Sequence, residues 1–172
     1  MRKKANPLIF LVDDDNSFLK TIELYVRQFF HGYTVTTFTS GEECLSQLDR
    51  KPDIILLDYL LNANYPNAMD GIKVLNQVKK TNPDTYVILF SAQDHIEVAV
   101  DIMKHGAFDY IIKNDKMFLR VQNAIRNVMH IQELKRDKED YKMKMQVLAG
   151  LAIALIGLLI YLGIFHKSVL EM

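Results

Sequence analysis

Four places in the 172-residue chain carry side chains able to act together: the run Asp13, Asp14 and Asp15, then Asp58, Ser91 and Lys113. Each closes a short apolar run. Clustered carboxylates repel one another and shift upward in pKa unless a cation sits among them, and oxygen ligands without His or Cys favour a hard ion such as Mg²⁺. A hydroxyl and an ammonium completing the ring suit a phosphoryl group. The parts then divide into an Asp nucleophile, a metal neutralising phosphoryl oxygens, Ser91 as hydrogen-bond donor and Lys113 as positive charge. His31, His95, His105, His130 and His166 show no ligand spacing and read as surface or helix-end residues. Cys44 stands alone, which excludes an intrachain disulfide and a multi-cysteine metal cluster.

For these residues to meet, the elements that bear them must share one edge. Apolar runs of strand length stand at Leu8 to Val12, Tyr33 to Phe38, Asp53 to Leu57, Tyr86 to Phe90 and Tyr110 to Ile112, with helix-period stretches between them. The expected helix stripes are Phe18, Ile22, Tyr25, Val26 and Phe29; then Cys44, Leu45 and Leu48 behind an N-cap at Ser40; then Ile72, Val74, Leu75 and Val78; and a less regular Ile96, Val98, Val100 and Met103. A last helix begins near Lys116, with Leu119, Ala124, Ile125 and Val128 toward the sheet. The first, third and fourth strands are apolar without alternation, which places them in a parallel sheet covered on both faces. A doubly wound α/β fold follows, and in such folds ligands bind outside the carboxyl ends of the strands. Asp15 reads as the cap of the first helix.

In order and spacing, LIFLVDDD at Leu8 to Asp15, KPDIILLD at Lys51 to Asp58, MDG at Met69 to Gly71, VILFSA at Val87 to Ala92 and HGAFDYIIK at His105 to Lys113 resemble the receiver domains of two-component response regulators. The resemblance covers residues 6–130 and implies a flavodoxin-like five-stranded parallel sheet of order 2-1-3-4-5. It implies Asp58 as the phosphoacceptor, with Asp13, Asp14, Asp58 and the backbone carbonyl of Leu60 around Mg²⁺. Ser91 would be the switch hydroxyl, Tyr110 the switch aromatic and Lys113 the phosphoryl-binding lysine. The phosphoryl group would come from a histidine kinase or a His phosphotransfer protein, so the domain is a signalling acceptor rather than an enzyme. Leu60 and Gln93 would govern water access to the acyl phosphate, and Leu60 points to slow self-dephosphorylation.

Two departures stand beside the match. Between Asp58 and Gly71 the loop is longer than the family's usual one and turn-rich, with Asn62, Asn64, Pro66 and Asn67. Asn114 follows Lys113 where the family usually has a proline joined by a cis bond, so a trans peptide is expected here.

From Val147 to Phe165 nineteen residues pass without a charge, a helix of roughly 28 Å against a hydrocarbon core of about 30 Å. We read 147–165 as a transmembrane helix. Lys135, Arg136, Lys138, Lys142 and Lys144 precede it and Lys167 follows, which orients the N-terminal domain to the cytoplasm. The expected organisation is a basic tail 1–5, the receiver 6–130, a charged juxtamembrane helix 131–146, the span, and a short extracytoplasmic tail 166–172. That is a tail-anchored protein of the bacterial inner membrane. An approximate heptad at Ile131, Leu134, Tyr141, Met145 and Leu148, and small residues at Gly150, Ala154 and Gly157, offer a homodimer through the last receiver helix and the span.

A net charge of zero gives no field for polyanions, so no nucleic-acid partner is expected. With no output domain in the sequence, the effect is expected through protein contacts. Two alternatives accompany this reading. One is a degenerate receiver that serves as a membrane interaction module without phosphotransfer. The other is a haloacid-dehalogenase-like phosphohydrolase with Asp13 as nucleophile, for which Ser17 departs from that family's usual Thr or Val.

Overall fold

The computed structural model describes residues 6–61, 69–92 and 96–170, with side chains to residue 158 except that of Ile96. The expectations for Asn62, Asn64, Pro66, Asn67, Gln93 and His95 therefore lie outside the described residues, as does the side chain of His166. The chain divides into two units, Met1–Val128 and Met129–Met172.

In the first unit strands and helices alternate: β1 (Leu8–Val12), α1 (Asn16–Phe29), β2 (Thr34–Phe38), α2 (Gly41–Ser46), β3 (Ile54–Asp58), α3 (Gly71–Thr81), β4 (Tyr86–Ser91), α4 (Ile96–Lys104), β5 (Asp109–Ile112) and the start of α5 (Met117–Leu170). The strands form one parallel sheet in the order β2-β1-β3-β4-β5. All five residues of β3 are buried, as are the last five of β4, because helices cover both sides. Phe10, Ile55, Leu57, Val74, Leu75, Val87 and Leu89 belong to one buried hydrophobic cluster.

The caps follow from local chemistry. Asp15 caps α1, its carboxylate accepting from the N–H groups of Ser17 and Phe18. Ser40 caps α2 through the N–H of Glu43, and Asp70 caps α3 through that of Lys73. Three helical stripes differ from the sequence expectation. In α1, Leu19 is buried with Ile22 and Val26, Phe18 and Tyr25 are half-buried, and Phe29 is exposed. In α4, Ile102 is buried and Val100 and Met103 are about half exposed. In α5, Met117, Val121, Ala124, Ile125 and Val128 are buried but Leu119 is exposed.

The second unit continues α5 to Leu170. From Val147 to Leu158 every described large apolar side chain is exposed, and a Cβ at Gly150 or Gly157 would meet nothing within 4 Å. Among the described residues this is the one helix long and apolar enough to cross a membrane.

Candidate functional site

Register explains why the chemistry gathers at one edge. Val12 pairs with Leu57, Asp58 with Phe90 and Ser91 with Ile112, so the residues next along β1, β3, β4 and β5 exit side by side. Asp13 and Asp58 therefore flank the place where the sheet order reverses, between β1 and β3. Backbone bonds tie these exits together: Lys113 N–H donates to the Ser91 carbonyl at 2.7 Å, Tyr59 N–H to that of Phe90 at 2.8 Å and Asp13 N–H to that of Phe38 at 3.2 Å.

Asp13 and Asp58 are 2% and 6% exposed and Ser91 is 1% exposed. Buried carboxylates demand partners, and Lys113 supplies one to both, its Nζ 2.7 Å from Asp13 Oδ2 and 2.8 Å from Asp58 Oδ1. The other Asp13 oxygen accepts from the Asp15 N–H at 2.9 Å. Carboxylate oxygens of Asp13, Asp14 and Asp58 all lie within 4.8 Å of one another. Burial raises the Asp13 pKa and the neighbouring Asp58 charge adds to this, against the lowering hydrogen bonds from Lys113 and Asp15. For Lys113 burial acts downward, but the Asp58 and Asp13 carboxylates outweigh it and the ammonium is held above its ordinary range.

This donor set fits a small hard cation. It offers three oxygens and no nitrogen or sulfur, at a spacing a shared ion can bridge, and the cluster still carries excess negative charge after Lys113 is counted. Leu60, two residues past Asp58, is exposed in the loop that leaves β3. Tyr110 is buried in β5, its N–H accepted by Asp109 Oδ1 at 2.8 Å and its carbonyl bound by Arg120 at 2.9 Å. Among the described residues the peptide bonds are trans, Lys113–Asn114 included, as the absence of proline there predicts.

Gly71 explains the MDG motif. A Cβ there would stand 2.5 Å from the Asp58 carbonyl oxygen and 2.9 Å from Tyr59 Cα, so only glycine lets α3 start directly against the acceptor strand. Sequence reasoning missed three neighbours. Phe18, read as core stripe, has its ring centroid 4.3 Å from Lys113 Nζ. Arg120 holds the Tyr110 carbonyl, and Glu42 in α2 accepts from the Met69 N–H at 2.9 Å, where the chain returns from the long loop. Phe18 was the findable one, since its place three residues past the cap sets it at the same sheet edge.

A five-stranded parallel sheet of this order, with acidic side chains gathered at its carboxyl edge, is the architecture of a receiver-type domain. Residues 9–122 match the response regulator receiver domain, and the chain belongs to that family. It is 33% identical over 132 residues to the DNA-binding transcriptional regulator NtrC of Salmonella typhimurium, across 76% of this chain and 27% of that protein. It is 37% identical over 99 residues to the luminescence regulatory protein LuxO of Vibrio campbellii, across 55% of this chain and 21% of that one. Among solved structures, a response regulator receiver domain protein from Clostridium thermocellum superposes with a TM-score of 0.64 at 25% identity, covering 74% of this chain and 98% of that one. NtrX from Brucella abortus gives 0.63 at 26% identity, covering 75% and 29%. The chain spans roughly a quarter of the length of the curated relatives it matches.

Proposed function

We propose that this chain is a membrane-tethered receiver that takes a phosphoryl group onto Asp58 from the phosphohistidine of a histidine kinase or a His phosphotransfer protein. The observation that carries the reading is Asp58 itself. It is a buried carboxylate at the end of the central strand, bound by Lys113 and set among Asp13 and Asp14. An Asp58 carboxylate oxygen attacks phosphorus, the bond from phosphorus to the donor imidazole nitrogen breaks with its electron pair passing to that nitrogen, and, with the donor ring protonated on its other nitrogen, the products are an aspartyl phosphate and a neutral histidine. Asp13, Asp14, Asp58 and the Leu60 carbonyl would hold Mg²⁺, which would supply charge neutralisation for the phosphoryl oxygens. Lys113 keeps its ammonium beside Asp58 and exchanges a carboxylate contact for a phosphoryl one. The Ser91 hydroxyl serves as the switch donor, and Tyr110 is the aromatic that answers it.

The apolar helix supports the tether. Its side chains from Val147 to Leu158 find no cover in the chain, and a bilayer is the solvent that removes this cost. The lysines and Arg136 before it support a receiver on the cytoplasmic side, with output through protein contacts there and a homodimer through α5 as one form. Against a phosphohydrolase with Asp13 as nucleophile stands the engagement of both Asp13 oxygens, by Lys113 and by the Asp15 N–H.

The test is incubation of the full chain in detergent with acetyl phosphate, followed by intact-mass spectrometry. One phosphoryl adduct that requires Mg²⁺ and disappears in Asp58→Asn is expected. An adduct that survives Asp58→Asn would overturn Asp58 as the acceptor, and no adduct on a folded chain would overturn phosphotransfer and leave the interaction module.

A further inference from the structure

Lys113 is held on three sides, and only two of them are carboxylates. The third is the face of Phe18, 4.3 Å from Nζ to the ring centroid. The ring is itself fixed: its backbone N–H is bound by the Asp15 cap at 3.1 Å, and it packs edge-on against Phe90 at 5.7 Å. Phe90 in turn is buried in β4 and is the register partner of Asp58. An ammonium over an aromatic face is attracted by the ring quadrupole while its hydrogen-bonding hydrogens stay free for oxygen acceptors. An aliphatic residue of equal bulk would fill the space without attracting the charge.

We infer that Phe18 is a positioning residue for phosphoryl transfer, its ring seating the Lys113 ammonium between Asp13 and Asp58 so that the lysine meets the phosphoryl oxygens without first being ordered. This inference rests on the reading of Asp58 as phosphoacceptor. The seat has particular use in this chain, because Asn114 stands where a proline would stiffen the backbone after the lysine. What remains to hold the side chain is what surrounds Nζ.

The experiment uses the full chain in detergent with Phe18 replaced by Leu, by Tyr, and by phenylalanines bearing one, two or three ring fluorines, which weaken the quadrupole at nearly constant shape. Two quantities are read: the rate of adduct formation from acetyl phosphate, and the chemical shift of the Lys113 ε-methylene in the absence of donor, assigned by its loss in Lys113→Gln. Phe18→Leu should form adduct about fivefold more slowly, equivalent to about 1 kcal/mol of barrier. Tyr should restore the rate, and the rate should fall stepwise with fluorination. The ε-methylene should move downfield in Leu as the ring current is lost. A flat fluorine series would overturn the inference even if Phe18→Leu misfolds, since the fluorinated chains keep the packing, and an unmoved ε-methylene in a folded Phe18→Leu chain would overturn it as well. If the natural chain forms no adduct, the phosphoacceptor reading fails, while the ε-methylene shift still reports whether the ring seats the lysine.

Discussion

Replacing Lys113 by Gln removes the one charge shared by two buried carboxylates. At an effective dielectric near 20, a unit pair at this separation is worth roughly 6 kcal/mol per contact before desolvation is subtracted. Breaking a fully buried pair costs about 3–5 kcal/mol net, because the survivor is left uncompensated. The Lys113 side chain is 23% exposed, so water can reach part of the gap, and we expect a loss of about 2–3 kcal/mol at pH 7.5 in chelator. The pH dependence has a definite sign. The Lys113 pKa is raised, so its stabilisation is fully present below the ordinary lysine value and is lost only as pH rises through the higher folded one. The Asp13 pKa is also raised, which for an acid means that the ionised form destabilises the fold and that protonation relieves it. Without Lys113 the Asp13 pKa rises further, so the deficit of the variant should shrink as the pH falls from 7.5 to 5. Addition of Mg²⁺ should shrink it as well. Urea unfolding of the full chain in detergent, followed by tyrosine fluorescence, suits a protein with eight Tyr and no Trp. A deficit below about 0.5 kcal/mol, or one that grows toward pH 5, would refute the argument that Lys113 neutralises this pair.

Gly71→Ala should cost about 2–3 kcal/mol and slow adduct formation, because the new methyl meets the Asp58 and Tyr59 backbone rather than a movable side chain; unfolding and adduct rate read both effects. Asp15→Ala should lose about 1 kcal/mol in the same unfolding assay through the uncapped start of α1, yet still form the adduct. Ile153→Arg, at an exposed position within the apolar stretch, adds about 3 kcal/mol to insertion and should move the chain from the carbonate-resistant membrane pellet toward the supernatant; unchanged partition would argue against a span.

The parallel sheet was legible because five apolar runs, each ended by a turn or a polar residue, alternate with helix-period stretches, whereas its strand order came with the receiver resemblance, since apolar runs do not say which strands are neighbours. The edge residues were legible for a related reason: once Asp13, Asp58, Ser91 and Lys113 are placed at strand ends, register alone brings them together. Helix faces were harder. In α1 both Phe29 and Leu19 fit a 3.6-residue stripe with Ile22 and Val26, and only the packing against the sheet decides for Leu19. In α4 the short apolar stretch admits two faces, and the structure buries Ile102 while leaving Val100 and Met103 about half exposed. The second task of Phe18 could not be read from periodicity, because a ring in a helix stripe looks the same whether it covers a leucine or an ammonium. Nor does spacing reveal that Gly71 touches the Asp58 backbone, since that contact closes only when α3 docks.

The most direct test is to locate the phosphoryl group. The full chain, phosphorylated with acetyl phosphate and Mg²⁺, is treated with borohydride, which reduces an aspartyl phosphate to homoserine, and the digest is mapped by mass spectrometry. The account predicts homoserine at Asp58 and at no other carboxylate. Homoserine at Asp13, or none in a folded and Mg²⁺-loaded chain, would contradict it.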